Sequence, residues 1–233
     1  MKLTVRDVMK LFKVSEKTVY HWIYEDELPA SQVQGQYRMN RAELFEWAST
    51  RQIPVPTDLI QKKGPAASFQ PTLSGALTLG GIFYDAAGDS QSTVLQEVVR
   101  LMPLPEGFHR DDLLRVLMAR EALGSTGIGD GIAVPHVRNP IILPISQASI
   151  TLCFLRTPVD FGALDGRPVY AVFTLVSHTV RAHLYLLSQL SFALRQPSFG
   201  VLIAQRAPAP QILEAVRQVE AGFHLPTTER PSH

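Results

Sequence analysis

Gly124-Ser125-Thr126-Gly127-Ile128-Gly129-Asp130-Gly131-Ile132-Ala133-Val134-Pro135-His136 is the stretch on which the reading of this chain turns. It packs four glycines and two hydroxyls into eight residues, then passes through a short apolar run to Pro135 and His136. A histidine delivered from a loop braced by glycines and fixed by a proline on its near side is held in position and left approachable. The glycines match neither the dinucleotide fingerprint nor the P-loop, which needs a lysine that is absent, so no nucleotide cofactor is expected.

Around this stretch the apolar periodicity is that of alternating helices and strands. Residues 92–102, 110–123, 183–194 and 210–219 are predicted helices; in the third, Leu184, Leu187, Leu190 and Leu194 recur at helical spacing. Residues 149–155 and 169–176 are predicted strands, the second apolar enough for the middle of a sheet. Residues 79–84 suggest an extended opening, and the end of the chain, from 223 to 233, a frayed tail. Helices alternating with buried strands give a layered α/β domain over 76–222.

The N-terminal 50 residues form a separate unit. Thr4 with Asp7 three residues on resembles a capping box and starts a first helix; Ser15 starts a second, in which Val19, Trp22 and Ile23 face inward. Two short helices joined by so tight a turn make a helix-turn-helix. Residues 31–39 alternate about Gly35 as a small hairpin or wing, and Asn40 caps a last helix carrying Glu43, Leu44, Phe45 and Trp47. On the second helix Lys17, Thr18, Tyr20 and His21 face outward, and with Arg38 of the wing they are the candidates to meet phosphates or base edges. Residues 1–50 carry seven Lys/Arg and seven Asp/Glu, among them Glu25, Asp26 and Glu27. Tight DNA binding by so neutral a unit requires a dimer, a partner or specific base contacts. In residues 51–75 the runs Ile53-Pro54-Val55-Pro56, Lys62-Lys63-Gly64-Pro65 and Gln70-Pro71 break up any regular element, as in a joint.

The 233 residues are 45% hydrophobic and 18% charged, with a formal net charge of +1. That balance exerts no global pull toward nucleic acid or membrane. Cys153 is the single cysteine, set in an apolar strand, so neither a disulfide framework nor a cysteine zinc site is expected, and the thiol reads as inert. The opening residues lack the apolar core of a signal peptide and no run is long enough to span a bilayer, so a cytoplasmic protein is expected.

Two resemblances add to this. The runs 3–12, 14–23 and 37–47 resemble the excisionase/MerR-type winged helix-turn-helix, which implies that the second helix enters the major groove of double-stranded DNA. Arg120-Glu121-Ala122-Leu123, the string Gly127 to His136, Pro158-Val159-Asp160-Phe161 with Leu164-Asp165-Gly166, and His183-Leu184, in that order, resemble the type-2 EIIA domain of the bacterial phosphotransferase system, in its nitrogen-regulatory, PtsN-like branch. That resemblance implies a mixed β-sheet flanked by helices and an HPr-like carrier that phosphorylates His136. It also implies that His183 supports the phosphoryl oxygens or the ring, and that Arg120 neutralises charge. It calls for no cofactor and no metal. Val137 stands where the family has glycine, and its branched side chain is expected to narrow the carrier's docking surface. The expected protein is a regulator rather than a small-molecule enzyme; the alternative is a DNA-binding adaptor whose larger domain serves only as sensor or dimerisation scaffold.

Overall fold

The computed structural model describes residues 2–25, 28–33, 35–40, 43–44, 47–48, 51, 53, 71–137, 145 and 147–222. The acidic Asp26 and Glu27, most of the joint and the tail from 223 onward lie outside them.

The N-terminal unit begins with β1 (Lys2–Thr4), α1 (Val5–Phe12) and α2 (Glu16–Tyr24). The capping box is present: Thr4 Oγ1 accepts from Asp7 N, and Asp7 accepts from Thr4 N at 2.8 Å. Those bonds hold the Asp7 carboxyl below its ordinary range. Lys13 in the left-handed conformation ends α1, and Ser15 Oγ accepts from Thr18 N to start α2. Strands β2 (Ser31–Val33) and β3 (Gln36–Asn40) form the expected wing about Gly35, and β1 adds to the far side of β3 to make a sheet of three. Glu43, Leu44, Trp47 and Ala48 are helical. The predicted cap of that helix at Asn40 involves residues 41 and 42, which are not described.

The large domain starts with α3 (Leu73–Gly80), capped by Thr72. A helix here was not anticipated, and it begins inside the stretch expected to be joint. Its buried residues Leu73, Ala76, Leu77 and Gly80 do recur at helical spacing, but eight residues with two glycines and only Ser74 and Thr78 to mark the polar side give a weak signal. Strand β4 (Ile82–Ala86) follows, then α4 (Gln91–Leu101) and α5 (Arg110–Glu121), and next β5 (Gly127–Gly129) and β6 (Ile132–Ala133). Strands β7 (Ser149–Val159) and β8 (Val169–Val176) precede α6 (Val180–Leu194), α7 (Pro197–Ala204) and α8 (Ala209–Gly222).

The sheet order is β4-β7-β8-β6-β5. It is mixed: β4 runs parallel to β7 and β6 parallel to β8, while β7–β8 and β5–β6 are antiparallel. β8 is central, as its apolar composition implies. Side chains alternate between the sheet's two faces. Ile150, Leu152 and Phe154 enter the core beneath α3, α6, α7 and α8, whereas Cys153 and Leu155 enter the one beneath α4 and α5. The result is an α/β domain of three layers.

Candidate functional site

The glycine stretch is a hairpin rather than a loop. Gly127 pairs with Ala133 and Gly129 with Ile132, and the two residues between, Asp130 and Gly131, both have positive φ. Asp-Gly is the dipeptide that a primed two-residue turn selects. Gly131 is required twice over, by its φ of 73° and because a Cβ there would meet the Tyr170 ring at 2.4 Å. Asp165 holds the turn from outside: Asp130 N donates to it at 2.8 Å, and Arg167 pairs with Asp130 at 3.0 Å. Backbone donation from Arg167 and Asp130 keeps the Asp165 carboxyl below its usual range. The Leu-Asp-Gly motif therefore braces the hairpin.

Beyond the hairpin β6 keeps its register along β8. Ile132 faces Ala171, Ala133 faces Val172, and His136 bridges to Leu175, whose N–H donates to Pro135 O at 3.0 Å. Ile132 and Val134 join the core on the α6 side, and the same alternation sends His136 toward that helix. Val137 turns the other way and is buried beneath α4 and α5. It does not narrow the surface over His136, contrary to the expectation from its branched side chain.

Helix α6 supplies the second ring. Thr179 caps it by accepting from Ala182 N, and His183 follows in the first turn, three residues after the helix begins rather than at its start. The rings of His136 and His183 have centroids 5.2 Å apart, and the two residues are only 2% and 4% exposed. His136 Nδ1 lies 2.7 Å from Val134 O. A carbonyl oxygen can only accept, so Nδ1 carries the proton and, in the neutral ring, Nε2 carries the lone pair. The first turn of α6 adds the partial positive charge of a helix N-terminus, which favours an anion.

Arg120 and Glu121 end α5 beside the hairpin. Arg120 Nη1 donates to Gly124 O at 2.9 Å, closing the turn that enters the glycine stretch. Glu121, which the sequence reading mentions only as part of a motif, is buried and accepts three hydrogen bonds. Thr126 N and Gln91 Nε2 reach its Oε1 at 2.7 Å each, and Thr126 Oγ1 reaches Oε2 at 2.6 Å. Burial raises its pKa, opposed by the bonds from Thr126 and by the charge of Arg120. His136 and His183 thus meet at one end of the sheet with Glu121 close by, while the Arg120 guanidinium is engaged at Gly124 O. Among the described residues no cluster of His, Cys, Asp and Glu is arranged to hold a metal ion.

The five candidates on the N-terminal unit are less uniform. Lys17 and His21 are exposed on α2. The Thr18 hydroxyl is engaged with Ser15 Oγ at 2.7 Å, at the start of the helix. Tyr20 lies within an aromatic group with Tyr24 and Tyr37, its ring centroid 6.2 Å and 6.0 Å from theirs. Arg38 is half-buried on the wing and donates to Gln36 Oε1 at 2.9 Å. Sequence reasoning missed Tyr24 and Tyr37, whose hydroxyls bond at 3.0 Å and tie α2 to the wing. Aromatic residues in both elements were the available signal.

The site is an imidazole fixed at Nδ1 and set between a sheet end and a helix N-terminus. The chain belongs to the family of the phosphoenolpyruvate-dependent sugar phosphotransferase system, EIIA 2, which it matches over residues 76–219. Within it the chain is similar to nitrogen regulatory proteins. That of Pseudomonas aeruginosa is 36% identical over 155 residues, covering 64% of this chain and 97% of the relative. That of Bradyrhizobium diazoefficiens is 30% identical over 135 residues, 57% of this chain and 84% of the relative. The crystal structure of the nitrogen regulatory protein IIA-Ntr from Neisseria meningitidis aligns with a TM-score of 0.52 at 31% identity, covering 59% of this chain and 94% of that one. Residues 3–52 match a helix-turn-helix domain. The chain therefore joins a nitrogen-regulatory EIIA-type domain to a helix-turn-helix. Among the described residues no helix is long and apolar enough to cross a membrane.

Proposed function

We propose that this chain is a cytoplasmic regulatory phosphoryl carrier: His136 accepts a phosphoryl group from an HPr-like protein, and the N-terminal unit binds double-stranded DNA. The observation that carries the first half is the fixed tautomer of His136, whose Nδ1–H donates to Val134 O at 2.7 Å. The Nε2 lone pair forms a bond to phosphorus as the carrier's own N–P bond breaks, and that bond's electrons return to the carrier's ring. The charge gained by the His136 ring is stabilised through Nδ1–H on Val134 O, while His183 and Arg120 face the dispersed negative charge of the transferring group. Neither helper forms a covalent bond. In this proposal residues 1–50 are the DNA-binding unit and the large domain, which begins at Leu73, is the phosphoacceptor unit, with the joint between them.

DNA binding rests on the exposed Lys17 and His21 and on the wing Arg38, with the tyrosine group setting the angle between helix and wing. The rival reading, a DNA-binding adaptor with an unphosphorylated scaffold domain, draws support from the near-complete burial of both histidines. The two part on one measurement. The protein is incubated with phosphoenolpyruvate, enzyme I and an HPr-like carrier, and the intact masses of wild type and His136→Ala are compared. The proposal expects an acid-labile, phosphate-sized gain in the wild type alone; no gain while the carrier is charged favours the scaffold.

A further inference from the structure

Helix α6 belongs to two cores. Ala182, Leu186, Leu187 and Leu190 enter the core of the large domain, whereas Leu184, 8% exposed, and the half-buried Val180 join the apolar cluster of the N-terminal unit, which contains Leu3, Val8, Trp22 and Trp47. Val180 and Leu184 are four residues apart and so form one strip along the helix. His183 sits between the two strips, next to Leu184, with its ring against that of His136.

From this placement we infer that the N-terminal unit is seated on the phosphoacceptor face as a cap, so that it and the phosphocarrier compete for one surface. The inference rests on His136 as the acceptor. A specific protein contact covers about 800 Å² per partner, a patch of roughly 16 Å radius. Any such patch placed to reach His136 takes in Leu184, one residue from the neighbouring ring. A carrier cannot cover that patch while the N-terminal unit covers Leu184. The burial of both histidines, which favours the scaffold reading, is then the capped state of a working acceptor.

The cap is suited to reversal. Its described apolar anchor on α6 is one leucine and one valine, a small contact by the standard of interfaces between domains. Phosphorylation adds about −1.5 to −2 charge beside it. Reclosing over that charge would remove it from water, so the phosphorylated chain stays open and its helix-turn-helix is released. The carrier is slowed in proportion to the closed fraction.

The chain's two tryptophans, Trp22 and Trp47, both lie in the N-terminal cluster, so their emission reports on this contact. The test uses the full chain as wild type, Leu184→Glu and Val180→Glu, with tryptophan emission recorded before phosphate gain is timed with a charged HPr-like carrier. A glutamate on the strip should shift the emission and speed phosphate gain about tenfold. Phosphorylation of the wild type should move its emission the same way. Val180→Glu, at the half-buried end of the strip, decides the matter if Leu184→Glu does not fold. Equal or slower gain in variants whose emission has shifted overturns the cap and leaves the acceptor standing. Emission unmoved in both variants overturns it as well. No phosphate on any of the chains, with the carrier charged, overturns the acceptor and the competition together.

Discussion

Helix α2 and the end of β6 hold their candidate functional side chains in opposite ways. Lys17 and His21 stand in solvent on α2, whereas His136 and His183 are enclosed. The difference follows from the chemistry assigned to each. A side chain that meets a phosphate backbone needs charge and reach, and freedom costs it little. A ring that attacks phosphorus needs one tautomer and one orientation, which only a fixed acceptor such as Val134 O supplies. The enclosed site should therefore resist substitution over a wide surround, and the presented one at few positions.

Two glycines with nearly the same backbone test this most severely. Gly131 in the β5–β6 turn has φ +73° with the Tyr170 ring 2.4 Å from a built Cβ; Gly35 in the wing has φ +74° with nothing within 4 Å. Gly131→Ala should cost roughly 2–4 kcal/mol in a urea titration and slow phosphate gain, because strain and overlap add. Gly35→Ala should cost about 1 kcal/mol, from backbone strain alone. Equal costs would break the comparison.

Glu121 comes next. Glu121→Ala leaves Thr126 N without its buried acceptor and Gln91 Nε2 with only its longer contact to Phe161 O, at about 1–3 kcal/mol, with slower phosphate gain because the entry to the hairpin loosens. Glu121→Gln keeps one oxygen in place, and the Thr126 hydroxyl can turn to accept, so it should retain most of the stability. The pH dependence has a sign. Burial raises the Glu121 pKa, so the folded state binds this proton more tightly than the unfolded chain, and the stability so contributed is lost as pH rises from 4.5 through the raised value. Wild type measured against Glu121→Gln should lose ground over that window. A difference of the opposite slope would mean that the three donors outweigh burial.

On the presented face the effects are smaller and specific to DNA. Lys17→Ala and Arg38→Ala should each lower the slope of log affinity against log salt by about 1 on duplex DNA, with unfolding midpoints unchanged. Thr18→Ala is different in kind, since its hydroxyl is bonded to Ser15 at the start of the helix. An unchanged salt slope in both basic variants would remove the wing and α2 from the DNA interface.

What the sequence disclosed has a common character. The capping box at Thr4 and Asp7, the cap at Ser15, the wing about Gly35 and the central place of β8 are local patterns, written within a few residues of themselves. The pairing of His136 with His183 is not local, and the family resemblance, rather than spacing, brought the two together. Strands β5 and β6 escaped notice because three and two residues are too few to show alternation, although Asp130-Gly131 marked the turn. Strand β1 exists only through its pairing with β3 across the unit. The role of Glu121 depends on Gln91, 30 residues away. Leu184 is the clearest limit. Its spacing with Leu187 and Leu190 is that of one apolar helix face, and nothing in a periodic pattern says that it faces a different core from theirs.

The smallest expected effect is none, and it separates capping from folding. Cys153 is fully buried on β7 between the packed helices and the sheet, and burial pushes its thiol pKa up to about 12. At pH 8 its thiolate fraction is then on the order of one in ten thousand, so iodoacetamide should leave it unlabelled unless the large domain opens. In Leu184→Glu the N-terminal unit is expected to leave α6 while the core beneath α4 and α5 stays closed, so labelling by intact mass should match the wild type. Faster labelling would show that the contact at Leu184 stabilises the whole large domain. The N-terminal unit would then be part of its fold rather than a cover that a carrier can displace.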